Sequence, residues 1–359
     1  GLQPPEQQLQ LSSAASAGGS RDSAAPAVRA MYCSSNCFGK VLHDVLRTRA
    51  FCVALVISTL TGTISFFLYQ DGDTLSENVA PDGVVFSVFL GFTSLVVAFR
   101  TTNALNRYTD AASHIHRLSA VWFDAASTLL AFCRVAKASP ADVEMFQNVT
   151  VRLVSTLNAF CLESLQSNGH VHTIMGSKGF RFEILGLIEL DDATQKAILV
   201  SDHKVELVFQ MIQNLVVDAQ ASGVLSIAPP ILTRSFQELG AGLTAYHEAK
   251  KLACVPLPFA YKALTGLILL FAAAYLPVMM ASFSHGALSS FVLSFSGTFI
   301  LWFMNGVADA LDNPFRKEAR SLDASSMQKE LNAHLMQLLE QTCNASPRLK
   351  VEPWSPTNS

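Results

Sequence analysis

The chain has 359 residues, of which 50% are hydrophobic and 15% are charged. Soluble globular proteins carry about 25% charged residues, and a net charge of −3 gives no electrostatic basis for a nucleic-acid partner. The composition therefore excludes an ordinary soluble protein and predicts a membrane protein with a substantial aqueous part.

The N-terminal residues 1–35 are rich first in Gln and then in Ser, Ala and Gly, and we expect them to form a disordered tail because they hold too little hydrophobic mass to fold. Their Ser/Ala/Arg composition is typical of an organellar transit sequence. Because the first residue is Gly rather than Met, we also expect an upstream piece. The seven cysteines are odd in number and scattered, which indicates reduced packing residues and neither a disulfide framework nor a zinc site.

Four uncharged, mostly apolar runs are long enough to cross a hydrocarbon core of about 30 Å. The predicted spans cover about residues 50–69, 83–99, 263–281 and 287–308. The loop 70–82 carries acidic residues and no Lys or Arg, whereas basic residues precede the first span, occupy the middle region and follow the fourth span. By the positive-inside rule, both termini and the aqueous region 100–255 face the cytosol or its organellar equivalent.

The second span continues without a proline or turn signal into a polar helix. Such a helix suits a pore wall better than an anchor, although an anchor with a cytosolic extension stays open. Gly91, Leu95 and Phe99 recur at i, i+4 and i+8, and we call these three residues the apolar stripe. Around a symmetry axis such a stripe makes a constriction that gates by dewetting, whereas on an isolated membrane helix it more often faces lipid or another helix.

Polar residues begin immediately after Phe99. Arg100, Asn103 and Arg107 recur at i, i+3 and i+7 and share a helix face. Because guanidinium and amide donors replace part of an anion's water shell, these three are the candidate anion-facing residues. The alternative for Arg100 alone is an interfacial arginine that reaches toward lipid headgroups.

Helical spacing and the absence of any alternating strand pattern predict an all-α protein. The aqueous region is predicted to contain helices over about residues 101–138, 141–166, 192–222 and 231–253. Two His-x-His pairs, His114/His116 and His170/His172, point apart on a helix and lack a third ligand, so we predict no metal site. No phosphate loop, nucleophile elbow or paired-carboxylate site is visible, so we predict no catalytic residue, no cofactor and no enzyme activity.

Three segments carry recognisable motifs: residues 99–111 begin Phe-Arg-Thr and continue through Asn-Arg-Tyr to Ala111, residues 254–261 read Cys-Val-Pro-Leu-Pro-Phe-Ala-Tyr, and residues 313–315 read Asn-Pro-Phe. In this order they resemble the Phe-Arg-Thr-Asn-x-x-Tyr-x-Arg-aromatic-x-Glu-Ala motif, the Thr-Pro-Ile-Pro-x-x-Tyr segment and the Asn-Pro-Phe turn of the bestrophin family. The similarity covers about residues 40–340 and is closer to prokaryotic and chloroplast members than to animal ones. It implies a channel domain over residues 36–345 and a C-terminal tail over residues 346–359.

The resemblance implies a homopentameric, chloride-type anion channel with one central pore. Its partners would be chloride or other small anions, further copies of the chain and membrane lipids, and no nucleic acid. Carried over by position, the pore neck falls on the apolar stripe and a cytosolic aperture falls on Ile231, which follows Pro230. Thr102 stands where the family has Asn, which places Asn103 one position late. Arg316 and its neighbours replace the acidic run of the animal calcium clasp, so we expect no calcium activation.

Two other functions stay open on the sequence alone. One is a bicarbonate-conducting channel or transporter, and the other is a non-conducting helical scaffold subunit of a membrane complex. The transit-like N-terminus and the similarity to chloroplast members favour a thylakoid or other plastid membrane.

Overall fold

The computed structural model of the chain describes residues 48–70, 83–167, 182–186, 189–283, 286–315, 322–340 and 346. The predicted disordered tail, the acidic loop 70–82 beyond residue 70, the His170/His172 pair, the Arg316 segment and the C-terminal tail apart from residue 346 lie outside the described residues. Within the described ranges the structure is helical and contains no strand, which confirms the all-α class.

The described residues form nine α-helices, and a short 3₁₀ turn follows the second of them. In chain order these are α1 (Arg49–Gln70), α2 (Gly83–Phe132), α3 (Pro140–Gln166), α4 (Asp192–Val200), α5 (Lys204–Ala221), α6 (Pro229–Cys254), α7 (Phe259–Phe283), α8 (Ala287–Leu311) and α9 (Ala324–Leu339). Four of them, α1, α2, α7 and α8, are long and apolar enough to cross a membrane. They coincide with the four predicted spans, which are thereby confirmed.

The predicted helix over residues 192–222 is wrong, because the structure has two helices, α4 and α5, in its place. Asp191 starts α4 by accepting a hydrogen bond from the Thr194 amide at 2.9 Å. Hydrogen bonds from the Thr194 side chain and from this amide lower the pKa of the Asp191 carboxyl. The backbone then turns extended at Ser201 before α5 begins. A short Ser-Asp-His run separates the two helices. In it the Ser201 hydroxyl accepts a hydrogen bond from the His203 amide at 3.2 Å, a local bond that competes with helix formation.

The predicted helix over residues 231–253 begins two residues earlier in the structure, with the prolines at 229 and 230 at its start. Ala228 is extended and caps α6, so that the prolines occupy its first turn. A first-turn residue needs no amide hydrogen for the helical ladder, and proline is preorganised for that position. The preceding helix ends earlier, ahead of Gly223, whose φ of 82° is a conformation that favours glycine.

Two compact units make up the chain, and the larger comprises residues 87–271 and 304–359. Its central element is α3, which packs against α5, α6 and α9. From Thr150 to Leu165 almost every residue of α3 is buried, and a helix that is buried all round lies inside a core. The polar side chains that α3 takes into this core must therefore find partners there.

A buried network of polar side chains fixes α9 on α3. Asn158 donates to Gln328 at 2.7 Å, Gln328 donates to Asn332 at 3.0 Å, and Ser155 donates to Asn332 at 2.7 Å. Asn332 in turn donates to the carbonyl oxygen of Glu183 at 2.6 Å. Sliding α9 along α3 would leave these groups unpaired, so the network specifies a single register for the last helix.

Helices α2 and α6 pack antiparallel within the same unit. His114 Nδ1 lies 3.0 Å from Glu248 Oε2, and further along α2 Asp124 lies 3.6 Å from Arg234 near the start of α6. Between these pairs the indole of Trp122 is fully buried. The aqueous half of α2 is therefore held along its length by α6.

The smaller unit comprises residues 1–86 and 272–303, and its described part joins α1 to α8 by small and polar residues. Thr61 and Ser294 share a hydrogen bond of 3.1 Å between their hydroxyl groups. A Cβ at Gly62 would lie 3.5 Å from Phe291, so the two backbones approach closely. Small residues and interhelical hydroxyl bonds are the usual means of holding membrane helices together.

Replacing Gly242 by Ala is expected to destabilise the protein strongly, because a Cβ there would lie 1.6 Å from Nε1 of the buried Trp122. We expect a loss of about 2 kcal/mol or more, measured as a lower Tm in detergent. Gly240→Ala is the matched control on the same helix, since nothing lies within 4 Å of its added Cβ. It should keep or slightly raise the Tm by helix propensity. Equal Tm values for the two variants would show that Trp122 does not sit against Gly242.

Candidate functional site

Helix α2 has one buried face through the second half of its apolar segment. Thr93, Val97, Arg100 and Ala104 are spaced by four, three and four residues, and all four are buried. At 100° per residue they fall within about 60° of one another around the helix. This face packs inside the protomer.

The apolar stripe lies on the other side of α2. Leu95 is 51% exposed and Phe99 is 58% exposed, and Gly91 is exposed as well, with nothing within 4 Å of a Cβ placed on it. The stripe is rotated by more than about 120° from the buried face. The protomer therefore presents these residues outward, to lipid or to other copies of the chain.

Two amide side chains continue the stripe where the apolar segment ends. Asn103 and Asn106 are both exposed, and at 100° per residue they lie within about 40° of Phe99 around the helix. Each amide offers two N–H donors. Asn106 was not among the predicted anion-facing residues, although its i+7 spacing from Phe99 was the signal that placed it on this side.

Arg100 points into the protomer. Its side chain is 3% exposed, and its guanidinium donates to the side chains of Asn305 and Asp309. These two residues are one helical turn apart on α8 and present both acceptors to α2. Arg100 is therefore an arginine paired within the chain.

Arg107 is also engaged within the chain. Its guanidinium donates to the carbonyl oxygens of Leu252 at 3.0 Å and Val255 at 2.8 Å. Carbonyls at a helix C-terminus lack intrahelical partners and carry partial negative charge. Arg107 supplies the end of α6 with both hydrogen-bond donors and a positive charge. Direct anion contact by Arg100, Asn103 and Arg107 stays a prediction, and of the three only Asn103 is exposed.

Ile231 lies in the first turn of α6 and is 53% exposed, whereas the adjacent Leu232 is buried in the core. The prolines before it fix the start of α6 and hence the direction in which its side chain points. The aperture role of Ile231 stays a prediction.

The titratable groups near α2 form a local pair and line an open groove. His114 is paired with Glu248, while His116 lines an open groove together with Glu330 and His334. Over the described ranges, no group of three or more His, Cys, Asp or Glu side chains is placed to hold a metal ion. Burial raises the pKa of the Cys161 thiol, which keeps it neutral as a packing residue.

Comparison with known proteins gives one family match and a set of structural neighbours. The family model described as bacterial/fungal bestrophin protein matches residues 23–337. A search of the curated proteins finds no match.

The structural neighbours include crystal structures of a bacterial bestrophin homologue from Klebsiella pneumoniae. A leucine-to-threonine variant of it superposes with a TM-score of 0.64 at 17% identity, covering 81% of this chain and 99% of that one. The structure of the homologue solved by zinc phasing gives a TM-score of 0.62 at 17% identity, with 80% and 97% covered. At this identity the likeness shows the fold.

Replacing Arg107 by Gln is expected to loosen the end of α6, because the carbonyls of Leu252 and Val255 lose a charged donor. Hydrogen bonds to charged groups contribute about 1.5–3 kcal/mol, which predicts a lower Tm and faster amide hydrogen exchange in the last turn of α6. Arg117→Gln changes an exposed arginine on the same helix and serves as the control. Unchanged exchange at the end of α6 in the Arg107 variant would contradict the contact.

Proposed function

The chain belongs to the bacterial/fungal bestrophin family, and from this premise we propose that it is a passive, chloride-type anion channel. Five copies would surround one central pore, and anions would move down their electrochemical gradient. Leu95 and Phe99 would form the hydrophobic neck, with Gly91 at its wider end.

The observation that carries this proposal is the two-sided character of α2. One uninterrupted helix of 50 residues leaves the membrane, packs its inner face into the protomer and presents the apolar stripe outward. Copies of the same stripe around a symmetry axis would enclose a narrow apolar passage, which controls permeation by excluding water.

Exposed amide side chains follow the apolar stripe along α2. Asn103 and Asn106 would offer neutral N–H donors to an anion that has just passed Phe99. Neutral donors bind an anion weakly enough to release it, which conduction requires. Arg107 would act at longer range through its charge, since its guanidinium is held by the neutral carbonyl oxygens of Leu252 and Val255, whereas Arg100 is paired with the carboxylate of Asp309.

Ile231 would form a second constriction in the aqueous part. It is an exposed apolar side chain at the first turn of α6, and α6 packs directly along α2. The two constrictions would then lie on two helices of one packed pair.

The matched family is bacterial and fungal, so the comparisons give no support to the thylakoid location that the N-terminal composition favoured. The four candidate spans make the chain an integral, multi-pass membrane protein.

The test is chloride flux through purified protein of verified pentameric state in liposomes. We expect valinomycin-dependent chloride efflux that rises in proportion to the driving force. Verified pentamers without flux at any voltage or pH would favour the scaffold function instead. Saturable, coupled flux of bicarbonate would favour the transporter.

Replacing both Leu95 and Phe99 by Ala should raise the chloride conductance by widening and wetting the apolar passage. A barrier lower by about 1.4 kcal/mol corresponds to a ten-fold faster passage, and single-channel recording measures it as open probability and current. Leu267 and Phe271 are the same residue types at the same spacing on α7, and both are exposed. The control Leu267→Ala/Phe271→Ala should leave conductance unchanged. Equal currents in both double variants would show that the apolar stripe does not form the neck of the pore.

A further inference from the structure

The ion pair between Arg100 and Asp309 occupies a distinctive place on two membrane helices. Arg100 is the first charged residue after the uncharged run 83–99 of α2, and Asp309 is the first after the uncharged run 287–308 of α8. The pair therefore marks the same membrane edge on both helices. Asn305, one turn before Asp309 on α8, binds the other arm of the guanidinium.

The two partners differ in their access to solvent. The Arg100 side chain is 3% exposed, whereas that of Asp309 is 56% exposed. A buried arginine at the edge of a low-dielectric region requires a counter-charge, and Asp309 supplies it from the surface of the protomer. A second ion pair joins Lys262 near the start of α7 to Asp312 just after α8 at 2.7 Å, and its two charges also compensate each other.

The charge of Arg100 lies close to the proposed conduction path. Arg100 follows Phe99 directly, and the two Cα atoms are about 3.8 Å apart. The full width of a helix is about 10–12 Å, which is comparable to the Debye length of about 8–10 Å at physiological salt. A charge on the inner face of α2, if it were uncompensated, would therefore act on an ion at the end of the apolar stripe.

We propose that Asp309 is a specificity-determining residue, whose carboxylate neutralises Arg100 and so sets the anion preference of the pore at its inner membrane edge. This inference rests on the proposed channel function. Asp309 does not contact the permeating ion. It acts through Arg100, with Asn305 as a positioning residue that orients the guanidinium.

Removing the negative charge of Asp309 and removing the positive charge of Arg100 should shift the anion-over-cation selectivity in opposite directions. Asp309→Asn leaves one uncompensated positive charge per subunit, and we expect the chloride-to-potassium permeability ratio to rise by about five-fold. Arg100→Gln leaves one negative charge and should lower the ratio by a similar factor. The double variant Arg100→Gln/Asp309→Asn is neutral at this position again and should restore the wild-type ratio.

The measurement is the reversal potential in a potassium chloride gradient across a planar bilayer, together with the Tm of each variant. Arg100→Lys keeps the charge and loses the two-armed geometry, so it should retain the wild-type ratio even where its Tm falls. Glu330→Gln makes the same charge change as Asp309→Asn at an exposed position on α9 and serves as the control with an unchanged ratio.

A purely structural ion pair gives a different result. It predicts lower Tm values for both single variants with the reversal potential unmoved, or moved in the same direction by both, and either outcome overturns the inference while the channel function stands. A wild-type protein that conducts no anion overturns the channel function and this inference together. Opposite shifts that the double variant cancels would establish the role of Asp309.

Discussion

The burial of one face of α2 is the constraint on which the rest of the structure depends. Because Val97, Arg100 and Ala104 are packed inside the protomer, the helix has no rotational freedom, and Leu95 and Phe99 must point outward. Burying an exposed side chain of this size is worth about 1.5–3 kcal/mol in water. Leu95 and Phe99 point outward on a helix that continues into water. The protein therefore gains free energy when these two side chains lie beside lipid or beside the same residues of other copies.

The same constraint gives the arginines and the asparagines of α2 different roles. The arginines face inward and hold α8 and the end of α6, while the asparagines face outward. Arginine suits the first task, since its fixed fork of donors binds two acceptors at once. A neutral amide suits the second, since it offers donors to an anion without binding it tightly. One side of α2 is thus held by the contacts of its arginines, and the other side presents exposed asparagines.

The sequence predicted those features that depend on local pattern. Long uncharged runs gave the four spans, and the lack of alternation gave the all-α class, since both are properties of contiguous residues. The division of residues 192–222 into two helices was missed because caps compete with helix propensity over only a few residues. The partners of Arg100 and Arg107 were invisible, because they lie 145 to 209 residues away in the chain. Spacing placed the two arginines on one face of α2 and could not tell whether that face was buried.

The most direct measurement of the central claim is a cryo-EM map of the purified protein in lipid nanodiscs, at a resolution that shows side chains. The account predicts a ring of subunits in which the α2 helices surround one axis, with Leu95 and Phe99 facing it and Arg100 turned away toward Asp309. A map that places Leu95 and Phe99 against lipid, or subunits that enclose no central passage, would contradict it.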